Sequence, residues 1–130
     1  MDLDALRAAA DVVGDRWRLL VVGALMDGGL AFGELESLVH GISPAVLSAR
    51  LKELEADGLV VAEPYQDRPV RYRYVLTGRG ASLAEVLRAL ASWGGAPSRH
   101  DACGTALELT WWCPTCELPV QAVDDHLHRL

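Results

Sequence analysis

The sequence lacks the long apolar runs that a membrane-spanning helix requires. Its longest apolar stretch covers residues 19–26, includes a glycine, and falls well short of the ~20 residues that cross a bilayer. The amino-terminal residues Met1-Asp2-Leu3-Asp4 are acidic, whereas a secretory signal begins with basic residues and continues with an apolar segment. We therefore expect a cytoplasmic protein that has no membrane partner.

Cysteine is also scarce, and its count is odd. Three thiols in a cytoplasmic chain do not form a disulfide framework, so a metal site becomes the alternative to consider. No serine or cysteine lies in a pattern with a neighbouring base that would indicate a catalytic triad, and we expect no enzymatic activity. Apolar residues make up 51% and charged residues 23% of the chain, which is typical of a folded domain with a small appendage.

Positive charge is in deficit overall but is concentrated in the middle of the chain. The formal net charge of −6 argues against a sequence-independent nucleic-acid coat. Residues 1–36 and 81–130 together carry thirteen acids and six bases, a sum of −7. By contrast, residues 37–52 contain two bases and no acid, and residues 66–79 contain four arginines and one acid. These two basic islands are the candidate binding surface.

Helical periodicity dominates the first half of the chain and returns in one later segment. Apolar residues recur at helical spacing in four segments: residues 3–13, 17–25, 32–39 and 83–93. Between the third and the last of these, Ser43 followed by Pro44 has the pattern of an N-cap and a first helical position. A further helix is therefore predicted to begin there, and Asp57-Gly58 ends it.

From residue 59 the apolar period changes to two, as in a strand. Along residues 70–76 tyrosines alternate with Arg71 and Arg73, so aromatic and basic side chains take opposite faces. Residues 59–65 are the predicted partner strand. Residues 66–69, which include Arg68, form the tip of the hairpin.

This order of elements is that of a winged helix-turn-helix, an α+β and mostly helical fold with a two-stranded wing. In that fold the capped helix enters the major groove and the wing contacts the backbone or the minor groove. The reading helix needs a face without carboxylates, because an acid there would repel phosphate. The candidate DNA-binding residues lie on that helix and the wing: Ser43, Pro44, Ala45, Ser48, Ala49, Arg50, Lys52, Arg68, Arg71 and Arg73.

Three of the larger side chains have more than one interpretation. Arg50 lies close to the apolar stripe of Leu47, Leu51 and Leu54 on its helix. It therefore either contacts phosphate or forms an intramolecular salt bridge with Glu53 or Glu34. Trp17 and Trp93 are expected in the core or in a dimer interface.

The same residues resemble the HxlR-type winged-helix regulators of bacteria and archaea. The resemblance covers residues 11–94 and rests on short motifs: Gly14-Asp15-Arg16-Trp17, Phe32-Gly33-Glu34-Leu35, Ile42-Ser43-Pro44 with Leu47-Ser48, Arg50-Leu51 with Leu54-Glu55, Asp57-Gly58-Leu59, and Tyr74, Leu76, Thr77 and Gly80. It implies a homodimeric transcriptional regulator that dimerises through its terminal helices and binds an inverted-repeat operator.

The chain departs from the family it resembles in two ways. Members often have a lysine at the position of Ala45 and a glutamine near Ala49, so the reading face here is short of hydrogen-bonding groups. Alanine still allows contact with a thymine methyl group, and arginine reads the shape of a narrow minor groove. Some members sense oxidants through a cysteine near the amino terminus, and this chain has no cysteine before Cys103.

A second pattern follows the break at Gly94-Gly95. The candidate ligands share a spacing of three positions: His100 with Cys103, and Cys113 with Cys116. This is the layout of a small zinc ribbon with a Cys3His site, in which four protein ligands close the tetrahedron around a structural Zn2+. His126 or His128 could replace His100. A redox C-x-x-C motif or free thiols are the alternatives to a metal site.

We therefore predict two regions. Residues 1–95 form the winged-helix DNA-binding and dimerisation domain, and residues 96–130 form the zinc-ribbon-like segment. The predicted function is a homodimeric transcriptional regulator that binds a double-stranded DNA operator; a small-molecule effector is not indicated. The alternative is a winged-helix protein-interaction module that docks through its zinc ribbon, which the alanine-rich face and the negative net charge favour.

Overall fold

The structure is a computed structural model that describes residues 1–120. Contacts within the chain divide it into two compact units, the first from Met1 to Leu87 and the second beginning at Arg88. This division falls inside the helix Ala84–Trp93, before the predicted boundary between residues 95 and 96. Within residues 1–120, no helix combines the length and the apolar character needed to cross a bilayer.

Four helices precede the wing in the first unit: α1 (Leu3–Val13), α2 (Arg16–Ala24), α3 (Phe32–Leu38) and α4 (Pro44–Ala56). The starting points of α1, α2 and α4 follow from side-chain caps, because the first backbone N–H groups of a helix have no partner within it. Asp2, Asp15 and Ser43 accept hydrogen bonds from those N–H groups in α1, α2 and α4. The sequence prediction of these four helices is confirmed to within a few residues at each end.

Three strands form the sheet of this unit: β1 (Leu30–Ala31), β2 (Val60–Asp67) and β3 (Val70–Leu76). The antiparallel order is β1-β3-β2, so β3 is central and β2 lies at an edge, where its proline can be accommodated. The wing is the β2–β3 hairpin, and a β-bulge interrupts its register between Pro64 and Gln66. Every residue from Glu63 to Arg73 is exposed. The two-residue strand β1 was not predicted.

The segment after the wing contains the helix predicted over residues 83–93 and, before it, a short helix that was not predicted. It forms the short helix α5 (Gly78–Ala81) and then α6 (Ala84–Trp93). The Thr77 hydroxyl accepts a hydrogen bond from the Gly80 backbone N–H (3.1 Å) and donates one to the Gly58 carbonyl (2.6 Å). Gly80 is buried so close to the Leu59 carbonyl that a Cβ atom would overlap it. This joint ties the base of the wing to the end of α4.

The core of the first unit lies between α2, α3, α4 and the base of the sheet. It consists of eleven buried aliphatic residues: Val21, Val22, Leu25, Leu35, Val39, Ile42, Leu47, Leu51, Leu54, Leu59 and Val60. The predicted leucine stripe of α4 is confirmed, because its three members are completely or almost completely buried. Trp17 packs partly buried against this core, as one of its two interpretations required.

The second unit contains a small hairpin of β4 (Trp111–Cys113) and β5 (Leu118–Val120), in which Trp111 faces Val120 and Cys113 faces Leu118. A single antiparallel bridge joins Arg99 and Ala106.

Candidate functional site

Helix α4 begins with the two residues that the sequence singled out. The Ser43 hydroxyl accepts a hydrogen bond from the Val46 backbone N–H at 3.2 Å, and Pro44 occupies the first turn, where the missing N–H has no cost. The predicted cap is therefore confirmed. The Ser43 side chain is engaged in starting the helix.

The outward side of α4 carries small apolar residues and one cation. Pro44, Ala45, Ala49 and Lys52 are exposed, and Ser48 is half-buried. Because Leu47 and its stripe turn towards the core, these residues lie on the side of the helix that faces away from the core. From residue 44 to residue 52 the helix contains no carboxylate, which is the condition expected of a reading helix.

Arg50 follows the intramolecular interpretation. Its Nε and Nη2 lie 3.0 and 3.3 Å from the two carboxylate oxygens of Asp15, and its Nη1 lies 3.2 Å from Glu53 Oε1. Of the two expected partners, Glu53 forms the pair and Glu34 does not; Asp15 was not foreseen. The Arg50 guanidinium is thus held within the fold, where it joins α4 to the start of α2.

The Asp15 carboxylate both pairs with Arg50 and caps α2. Burial raises its pKa, but hydrogen bonds from Arg50 and from the backbone N–H groups of Arg18 and Trp17 outweigh that effect and hold the pKa below its ordinary value. The same pair raises the pKa of Arg50, chiefly through the hydrogen bond to Asp15.

A second ion pair links the same two helices at the other end of α4. Arg18 of α2 is the single buried charged residue among residues 1–120, and its Nη2 donates to the carboxylate of Asp57, the C-cap of α4. The Arg18 Nε has no hydrogen-bond partner in the described part of the chain. Together, the two pairs fix the orientation of α4 with respect to α2.

The wing presents three arginines. Arg71 and Arg73 lie on one face of β3, as predicted, and Arg68 lies at the exposed tip. Arg73 Nη2 lies 3.5 Å from Glu63 Oε2 on the neighbouring strand, and both side chains are about half exposed. Neither Arg68 nor Arg71 forms an ion pair within residues 1–120. On the opposite face, burial raises the pKa of Tyr74.

The cysteine segment forms two separate donor pairs. His100 Nδ1 lies 3.2 Å from Cys103 Sγ. Hydrogen bonds with the side chain and backbone of Thr105, and then with His100, lower the pKa of the Cys103 thiol. Hydrogen bonds with the backbone of Cys116, and then with Thr115 and the Cys116 thiol, lower the pKa of Cys113.

The structure does not join the two pairs. Among residues 1–120, no three histidine, cysteine, aspartate or glutamate side chains lie close enough to hold one metal ion. The alternative ligands His126 and His128 lie outside the described residues.

Two acidic residues that pair with arginines of α4 and the wing were missed by sequence reasoning. Asp15 was noted only as part of a motif, and its position before a helix signals a cap but not a partner 35 positions away. Predicting the contact of Glu63 requires the register of the hairpin, which pairs Glu63 directly with Arg73 across the strands.

Comparisons with known proteins agree with this geometry. Residues 12–101 match the family model described as HxlR-like helix-turn-helix. The chain is 40% identical over 85 residues to the uncharacterised HTH-type transcriptional regulator YvaP of Bacillus subtilis, covering 65% of this chain and 79% of that protein. It is 36% identical over 99 residues to an uncharacterised HTH-type transcriptional regulator of Methanothermobacter thermautotrophicus, covering 76% of each.

A solved structure shares the fold. The reduced form of the transcriptional regulator YodB from B. subtilis superposes with a TM-score of 0.62 at 33% identity, covering 69% of this chain and 88% of that one. The residues that match the family model include α2 to β3, and hence the capped helix and the wing. The chain therefore belongs to the HxlR-like helix-turn-helix family of transcriptional regulators.

Proposed function

We propose that this chain binds double-stranded DNA as a homodimer on an inverted-repeat operator, with α4 in the major groove and the wing along the backbone or minor groove. The observation that carries the proposal is the distribution of unpaired positive charge. Lys52, Arg68 and Arg71 are exposed without an ion-pair partner among the described residues, and they lie on α4 and the wing. Three acidic residues in or next to α4 are each in an ion pair with an arginine: Asp15, Glu53 and Asp57.

Exposed apolar residues on the outer helices support the homodimer. In α1 the apolar positions include Leu3 and Leu6, and no residue of this helix is buried. In α6, Val86 and Leu90 are about half exposed and Trp93 is 90% exposed. Apolar helix faces of this kind are typical of surfaces that a partner covers. A dimer would place two α4 helices on half-sites about 34 Å apart.

The direct test is a titration of the full chain with the DNA upstream of its own gene and with random DNA of equal length. Specific binding predicts a clear preference for the upstream fragment. Equal affinity for both fragments would contradict the proposal and favour the protein-interaction alternative. Sedimentation at micromolar concentration tests the dimer, and a monomer there would count against the two-half-site arrangement.

The contribution of the wing has its own test. Removing one phosphate contact should flatten the slope of log affinity against log salt by about 0.9. The variant Arg68→Ala/Arg71→Ala removes the two unpaired wing cations, whereas Arg7→Ala removes an exposed cation from α1 as the control. An unchanged slope in the wing variant, or an equal change in the control, would overturn the assignment.

For the tail we propose a structural zinc site formed by His100, Cys103, Cys113 and Cys116. The donor types suit zinc, and each pair has the close spacing of two ligands on one turn. Four ligands would leave no open position for catalysis, so the ion would act as a cross-link between the two pairs. A hairpin of this size buries too little apolar surface to fold alone, and ligation would stabilise it.

Metal analysis of the purified full chain tests this site. One zinc per chain is expected, with loss in Cys113→Ser/Cys116→Ser and retention in Thr115→Ser, which changes one of the two residues between them. A chain without zinc after expression in zinc-sufficient medium would remove the site. Zinc retained in His100→Ala would show that a residue other than His100 supplies the fourth ligand.

A further inference from the structure

The outward side of α4 carries mainly methyl and methylene groups, beside the Ser48 hydroxyl and the Lys52 ammonium group. Pro44, Ala45 and Ala49 are exposed on its amino-terminal half, and Ala56 is exposed at its far end. A side chain at positions 45 and 49 projects from successive turns of one side of the helix. Two alanine methyl groups therefore occupy the positions that would approach the base edges first.

Two of the polar side chains near these alanines are engaged elsewhere, whereas Ser48, half-buried on the same side of the helix, also carries a hydroxyl group. The Ser43 hydroxyl accepts the capping hydrogen bond from Val46, and the Arg50 guanidinium is shared between Asp15 and Glu53. Of the cations in α4, only Lys52 is left, one turn further along. The helix has no asparagine or glutamine.

The four bases demand different partners in the major groove. Guanine is read by arginine or lysine, adenine by asparagine or glutamine, and cytosine by a carboxylate, whereas the thymine 5-methyl group is read by an apolar contact. Only the last of these requirements is met by Ala45 and Ala49. The wing arginines supply affinity through phosphate and do not change which base edges α4 can distinguish.

We infer that α4 recognises its operator through the 5-methyl groups of thymines, which contact the methyl groups of Ala45 and Ala49. This inference rests on the proposed function, because it specifies what the DNA-binding helix reads. It predicts a half-site with positions at which the 5-methyl group of thymine is required and the hydrogen-bonding groups of thymine are not.

The experiment begins with selection of binding sites by the full chain from a random duplex library. Thymines of the selected site are then replaced one at a time by deoxyuridine, which removes the methyl group and leaves every hydrogen-bonding group in place. At the contacted positions, affinity should fall by about fourfold for each methyl group that is no longer buried. Replacement outside the α4 footprint should have no effect.

Two variants assign the effect to the helix. Ala49→Gly removes one protein methyl group, so the affinity difference between thymine and deoxyuridine should disappear at one position. Ala56→Gly is the matched control, because it carries the same substitution at the exposed far end of α4 and should keep the difference. The measurements on the unaltered chain do not depend on how well either variant folds.

The outcomes separate the inference from the proposed function. If the selected site binds better than random DNA but deoxyuridine substitutes for thymine without loss at every position, the inference is wrong and operator binding stands. If the selection enriches no sequence, operator binding itself fails and the inference falls with it.

Discussion

The ion pair between Arg18 and Asp57 predicts an asymmetric response to mutation. The Arg18 side chain is 10% exposed and that of Asp57 is 39% exposed, so the cation is buried and its counter-charge is at the surface. Asp57→Ala would leave a buried guanidinium without compensation, whereas Arg18→Met would replace it with an apolar chain of similar length. The first change should be clearly more destabilising than the second.

The magnitudes follow from the burial of the two partners. Loss of one partner of a fully buried pair costs about 3–5 kcal/mol, and water that reaches the vacated Asp57 position reduces this to about 2–3 kcal/mol. Removing a negative charge from the C-cap of α4 returns about 0.5 kcal/mol through the helix dipole. We therefore expect Asp57→Ala to lower the free energy of unfolding by about 2 kcal/mol, and Arg18→Met by less than about 1 kcal/mol.

Equilibrium unfolding in urea at fixed protein concentration measures both values, because dimer formation would otherwise shift the apparent stability. The double variant Arg18→Met/Asp57→Ala should be close to Arg18→Met alone, since no buried charge remains to be compensated. Equal destabilisation by the two single changes would refute this account of the pair. A neutral Asp57→Ala would show that Arg18 does not depend on Asp57.

Three further predictions concern other contacts. Asp15→Ala should lower the free energy of unfolding by about 1 kcal/mol through loss of the α2 cap, whereas Asp15→Ser keeps a cap and loses only the pair with Arg50. Because the pKa of Asp15 is lowered in the folded state, the unaltered chain loses this stabilisation as the pH falls below about 4. The difference in free energy of unfolding between it and the serine variant should therefore shrink there. Glu63→Gln should tighten DNA binding and steepen its salt dependence, since it frees Arg73, and unchanged affinity in a gel-shift titration would contradict this. Gly80→Ala should destabilise the fold by about 2 kcal/mol or more in thermal unfolding, because its Cβ would meet a backbone carbonyl.

Much of this fold is encoded in local signals, and those parts were predictable. The start of α4 is marked by a capping residue directly before it, Ser43. The spacing of its buried leucines follows from the geometry of a single helix and needs no knowledge of its neighbours. The strand from Val70 to Leu76 was predicted at its observed bounds because alternation of tyrosine and arginine needs no knowledge of its neighbours.

The parts that escaped prediction depend on tertiary contacts. Strand β1 has two residues, too few for any period, and it exists because the edge of β3 offers Tyr74 and Arg73 as partners. The short helix α5 depends on Thr77 and Gly80 meeting the end of α4. The two ion pairs between α2 and α4, Asp15–Arg50 and Arg18–Asp57, join residues 35 and 39 positions apart. No local pattern indicates which acid contacts which base.

The exposed wing also has a consequence for local opening. From Glu63 to Arg73 it is paired with itself and exposed along its length, whereas its base is held by Thr77 and the core. Amide hydrogens near the tip should therefore exchange with solvent through fluctuations that leave the core folded, and those of α4 only through much larger openings. Protection from exchange should rise along the hairpin from tip to base.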